Sequence, residues 1–118
     1  MTTLEWLAGT FLAALMLLSA FGHVFNPKFT DPFIPDFFPK KLVHWATAFV
    51  EASLAIGIFI PIYHNWALQG TFILMILLLP VHIRDLFLEK PAIGSRQAAW
   101  IRTPFQFIFM AMAWYAMV

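Results

Sequence analysis

Four apolar runs, separated by stretches that are polar or broken by proline, lay out the chain. The first covers Leu4 to Gly22, where Gly9, Ala13, Ala14, Ser19, Ala20 and Gly22 provide small-residue faces suited to helix contact. A run of this kind is about the length that crosses a ~30 Å hydrocarbon core as a helix. From Val24 to Lys41 the pattern changes. Pro27, Pro32, Pro35 and Pro39 exclude a continuous helix, and Phe25, Phe29, Phe33, Phe37 and Phe38 are too many aromatics for a solvated loop. This stretch is expected in the headgroup layer or dipping back against the helices, as a surface anchor or as a lid over a polar end.

The second run, residues 43–60, carries His44, Thr47 and Glu51 at helical spacing, with Ala48, Ala52 and Ala55 keeping the neighbouring surface small. It ends near Pro61, and the short Ile62 to Asn65 turn makes the second and third runs antiparallel neighbours. The third, residues 65–83, begins at Trp66 and leads through Phe72–Leu79 to Pro80 and His82, with Pro80 expected to kink or end the helix. Arg84, Asp85 and the polar stretch Glu89 to Gln97 form the conventional solvated loop. The fourth run, residues 98–117, has Arg102, Pro104 and Gln106 in its first turns and Trp114 and Tyr115 as an aromatic anchor. The pattern predicts an all-α fold over 1–118: an integral membrane four-helix bundle with a Pro/Phe-rich interfacial or re-entrant segment between helices 1 and 2.

Composition strengthens that reading. The 118 residues are 62% hydrophobic and 11% charged, against about 45–50% and about 25% in an ordinary soluble domain. The net charge of +1 and the absence of a basic block give no sign of a nucleic-acid partner. Without cysteine, thiolate catalysis and cysteine-ligated metal sites are excluded within this chain. Met1 to Glu5 lacks the basic region of a signal peptide, so the first run is expected to stay in the mature protein.

Charge also predicts orientation. Lys28, Lys40, Lys41, Arg84, Lys90, Arg96 and Arg102 all fall in or beside the first and third loops. With four spans, the positive-inside rule places those loops in the cytoplasm and both termini outside.

The same span count gathers chemistry at one membrane face. His23 ends the first run, His44 starts the second, His82 ends the third and Arg102 starts the fourth. Glu51 lies seven residues beyond His44, roughly 10 Å deeper, and Gln106 one turn beyond Arg102. His64 belongs to the opposite turn. An ionised carboxylate in hydrocarbon costs roughly 2.5–3.5 kcal/mol, so Glu51 should face the bundle interior and find a partner among His23, His82, Arg102 and Gln106, directly or through one water. Three readings remain open. The network pins helix order; or Glu51 and His23 are an acid/base pair in a pocket for a quinone or isoprenoid, with His44, His82, Arg102 and Gln106 binding the ligand; or the histidines and Glu51 hold a metal. With no HxxxH or HxxE pair, no metal ligand is assigned.

Phe21-Gly22-His23 before a Pro/Phe-rich segment, the acidic second helix ending at Pro61, Leu79-Pro80-Val81-His82 and Arg102-Thr103-Pro104-Phe105-Gln106 together resemble the DoxX-like family of small four-helix membrane proteins. The resemblance maps that family's recurring pieces onto Gly22-His23, Glu51, and Arg102 with Pro104 and Gln106; Pro80-Val81-His82 stands where many members carry Pro-Ala-Asn. It implies a bacterial inner-membrane protein with periplasmic termini, acting as a membrane subunit or a module binding a quinone-like molecule in a redox-linked system. Its partners would be the lipid bilayer, other membrane subunits or a soluble redox protein. A structural subunit of a larger complex, or a small proton-transfer enzyme acting on a lipid, are the alternatives. The sterol-isomerase-type membrane enzymes offer a fold-level analogy only.

Overall fold

The computed structural model describes residues 2–88 and 91–117. Met1, Glu89, Lys90 and Val118 lie outside the described residues, and with them the expected place of Lys90 in the third loop and of Glu89 at that loop's start. The described residues form five α-helices, one short 3-10 turn and no strand.

Helix α1 (Thr3–Phe25) starts where Thr2 accepts the Glu5 N–H at 3.2 Å and donates its hydroxyl to the Glu5 carboxylate at 3.1 Å. That pairing satisfies donors a helix start leaves open. Helix α1 ends at Asn26, whose N–H reaches the Gly22 carbonyl at 2.8 Å; Pro27 follows and cannot extend the ladder. Pro27 instead opens a four-residue helix, α2 (Pro27–Thr30), and the 3-10 turn Asp31–Phe33 comes next. The proline-rich stretch is thus compact and partly helical, with Ile34 buried beneath it.

Helix α3 (Lys40–Ile58) begins directly after Pro39, and α4 (His64–Leu86) after a turn over residues 59–63. Helix α4 continues through Pro80. Helix α5 (Arg96–Ala116) starts at Ser95, whose hydroxyl accepts the Ala98 N–H at 3.1 Å, and passes through Pro104.

Helix α1 packs chiefly on α3 and α4 chiefly on α5; thinner seams join α3 to α4 and α1 to α5 and close the ring. Leu12, Met16, Ala55, Ile58, Leu68, Ala113 and Ala116 fill the middle at no more than 1% exposure. Small residues set the spacing: a Cβ on Gly57 would lie 3.0 Å from that of Ala67. Buried Thr71 returns its hydroxyl to the Ala67 carbonyl at 2.8 Å, so it leaves no unpaired donor in this core.

The outer surface is apolar. Leu18, Phe49, Trp66, Leu77 and Trp114 are about two-thirds exposed or more, and soluble monomers rarely carry so broad an apolar surface. Three helices, α1, α3 and α4, are long and apolar enough to cross a membrane. Helix α5, with Arg96, Gln97, Arg102 and Gln106 in its first half, does not qualify by composition, so three candidate spans stand where four were expected.

Candidate functional site

Helix α3 turns the face of His44, Ala48, Glu51 and Ala55 inward, and Glu51 is 4% exposed. Its Oε1 accepts the Ser19 hydroxyl at 2.9 Å. The next polar neighbour is His23 Nε2 at 3.9 Å, beyond direct hydrogen-bond reach. Ser19 and His23 stand one turn apart on α1, so the same face of that helix presents both groups to Glu51.

Toward the helix ends the polar row continues. His23 and His44 bring their Nδ1 atoms within 2.8 Å, and Thr30 Oγ1 lies 3.4 Å from one and 3.3 Å from the other. His44 Nε2 meets Asp31 Oδ1 at 2.6 Å. These contacts exist because the chain after Pro27 folds back as a helical turn rather than running on along the surface, which carries Thr30 and Asp31 over the ends of α1 and α3. Phe33, two residues further, sets its ring edge-on to His82 of α4, with centroids 6.1 Å apart. The proline-rich segment therefore touches both halves of the bundle's polar end.

A cavity of about 410 Å³ opens beside this row, lined among others by His23, Asp31, Lys40, Lys41, His44 and Trp45. Asp31 is one-third exposed there, whereas His44 is buried. Lys40 is drawn to Asp36 at 3.4 Å.

The remaining residues expected in the site stand on the other helix pair. Arg102 holds its guanidinium 5.2 Å from the centre of the Phe109 ring, a cation–π arrangement. Gln106 is wholly buried, and its Oε1 has no hydrogen-bond partner among the described residues, nor does Arg102 Nη1. No ion pair joins Arg102 to Glu51 among them either. The site thus forms two groups at one end of the molecule: Ser19, His23, Thr30, Asp31, His44 and Glu51 on α1–α3, and His82, Arg102 and Gln106 on α4–α5. Among the described residues no three His, Asp or Glu side chains converge on a metal-sized site.

Sequence reasoning missed Ser19, Thr30 and Asp31. Ser19 was in view only as a small residue, although its spacing of four from His23 placed it on the right face. Thr30 and Asp31 carried no signal, because nothing in a proline-rich stretch says where it folds back.

Residues 12–117 match a family described as Domain of unknown function (DUF8561). No curated protein and no solved structure matches the chain. The resemblance to the DoxX-like family is thereby corrected: the matching family is a different one, and nothing supports a DoxX relationship. The motifs behind that resemblance are short and built from Gly, Pro, His and aromatic residues that any small helical membrane protein uses at helix ends.

Proposed function

We infer, for a chain that belongs to the family described as Domain of unknown function (DUF8561), that it is a small membrane protein holding the polar head of a lipophilic, quinone-like molecule beside Glu51. The observation that carries this reading is the carboxyl itself. Glu51 is buried where α3 packs on α1, with one hydroxyl donor at 2.9 Å and one imidazole at 3.9 Å. A carboxyl kept only as a helix pin is better replaced by apolar packing of the same volume. An acid beside an imidazole supplies what a quinone or an isoprenoid head needs, a donor and a proton acceptor in a water-poor site.

In this reading α5 joins α1, α3 and α4 as a fourth span, with Gln106 turned to the interior, Arg102 half-buried, and the His82, Arg102 and Gln106 group facing the same end. The proline-rich segment lies at the membrane surface. The helix ends and connections carrying Lys28, Lys40, Lys41, Arg84 and Arg96 face the cytoplasm of a bacterial inner membrane, and the termini the periplasm.

The test is native mass spectrometry of the protein extracted in mild detergent, beside Glu51→Gln and Glu51→Leu. A small lipophilic molecule should leave with the native protein and be lost from a folded Glu51→Gln variant. Glu51→Leu should lower the melting temperature, because it strands Ser19 and His23. If Glu51→Gln is fully stable and retains the same bound molecule, the ligand-binding reading is wrong and a structural role stands in its place.

A further inference from the structure

We propose that Asp31, His44 and His23 form a proton path between the cavity at the ends of α1 and α3 and the Glu51 carboxyl. The proposal rests on the reading of Glu51 as the group that meets the ligand, and it adds the route by which that group exchanges protons with water. The geometry is a row of four ionisable side chains. Asp31 Oδ1 lies 2.6 Å from His44 Nε2, the two Nδ1 atoms are 2.8 Å apart, and His23 Nε2 is 3.9 Å from Glu51 Oε1.

The short Nδ1–Nδ1 contact restricts the protonation pattern. Two lone pairs facing each other, or two N–H groups, would repel, so the pair shares one proton. In one arrangement His44 donates Nε2–H to the Asp31 carboxylate and accepts at Nδ1 from His23 Nδ1–H. His23 then presents the lone pair of Nε2 to Glu51, which carries its own proton. Moving one proton across each of the three links gives the other arrangement. Glu51 is ionised and faces His23 Nε2–H, His23 Nδ1 accepts from His44 Nδ1–H, and Asp31 is protonated. Each arrangement contains three protons, and neither leaves a charged imidazole behind. The net event is the passage of one proton from an intramembrane carboxyl to a carboxyl at the cavity wall.

A structural role accounts for less of this geometry. Tying α1 to α3 needs one hydrogen bond, yet every ring nitrogen of both histidines faces a group able to take or give a proton. Thr30 Oγ1 touches both Nδ1 atoms from the side and holds the rings in register. Lys40 and Lys41 complete the charged groups around the row, both at the cavity end. The 3.9 Å link is the open one, closed by a small rotation of Glu51 or by one bridging water.

The experiment uses the whole protein in lipid vesicles and infrared spectroscopy, with a rapid pH change as the probe. The Glu51 carboxyl is identified as the protonated-carboxyl band absent from Glu51→Gln. In the native protein this band should follow the pH change promptly. Asp31→Asn keeps the shape and a hydrogen-bond acceptor but cannot take the proton, and should slow the response by at least about tenfold. His44→Gln, cutting the middle link, should slow it at least as much. Should His44→Gln fail to fold, Asp31→Asn decides alone, being at a partly exposed position where the fold is not at stake. An unchanged rate in Asp31→Asn overturns the path, and so does a native protein with no band assignable to Glu51. Neither result bears on whether a molecule co-purifies, so loss of the path and loss of the ligand-binding reading are told apart.

Discussion

Gln106 Nε2–H donates to the main-chain oxygen of Met75 at 2.8 Å, and so ties α5 to α4 in the turn before Pro80. Proline cannot donate to the carbonyl four residues before it, and that stretch of α4 has lost one rung of its own ladder. The carbonyl left without that rung is that of Ile76, and the side-chain amide adds its bond at the residue beside it, Met75. Gln106→Leu should cost about 0.5–1.5 kcal/mol, as one hydrogen bond is exchanged for apolar packing. Gln106→Ala, which also opens a cavity, should cost more, on the order of 2 kcal/mol. Thermal unfolding in detergent orders the three proteins, and equal melting temperatures would remove Gln106 as a tie between helices.

At the opposite end His64 plays a comparable part. It is buried, with Nδ1 2.7 Å from the Ile58 carbonyl and Nε2 3.3 Å from that of Ala116, and the Trp6 ring sits 5.6 Å away. Those carbonyls end α3 and α5, where a helix has acceptors without partners. His64→Ala should lower stability by about 2 kcal/mol, since a buried carbonyl loses the ring N–H and the ring leaves a cavity. A melting temperature within error of the native one would contradict this.

Two glycines should respond in opposite directions. A Cβ on Gly22 would meet nothing within 4 Å, so Gly22→Ala gains helix propensity without a clash and should stabilise by up to about 1 kcal/mol. At Gly57 the new methyl would press on Ala67 at 3.0 Å, where the α3–α4 seam has little room to give. Gly57→Ala should be destabilised and Gly57→Leu should not assemble. The contrast is read from paired melting curves; a stabilised Gly57→Ala would show that the seam yields.

The helical class and the gathering of His23 and His44 at one end were legible in the sequence, because antiparallel order alone decides which helix ends meet. Burial of Glu51 was legible too, since a carboxylate amid alanines has one comfortable direction to face. Its partner was not. His23, His82, Arg102 and Gln106 were the partners expected, yet a hydroxyl on the neighbouring helix is the donor within direct reach, with His23 behind it at 3.9 Å, and a serine in an apolar run looks the same whether it bonds a side chain or its own backbone. Asp31 was illegible for a different reason: its position depends on a reversal after Pro27 that no periodicity announces.

Orientation is open to a direct test. A reporter fused after Val118 should behave as periplasmic, and one inserted near Gly94, the residue with φ of 118°, as cytoplasmic. Gly94 is exposed, and a Cβ there would meet nothing, so an insertion disturbs little of the packing. The reverse pattern would sink the assigned orientation and leave the bundle untouched.

The unequal seams have a consequence for assembly. Because α1 packs on α3, and α4 on α5, more extensively than α3 packs on α4 or α1 on α5, the helices divide into two pairs joined by the turn over residues 59–63, two leaves of one molecule. Each leaf buries its main contact between helices nearby in sequence, whereas the α1–α5 seam joins opposite ends of the chain and should form last. A chain severed within that turn should therefore yield two pieces that fold as pairs and find each other again when co-expressed. Pieces that never co-purify would mean that the turn itself, rather than the seams, holds the leaves together.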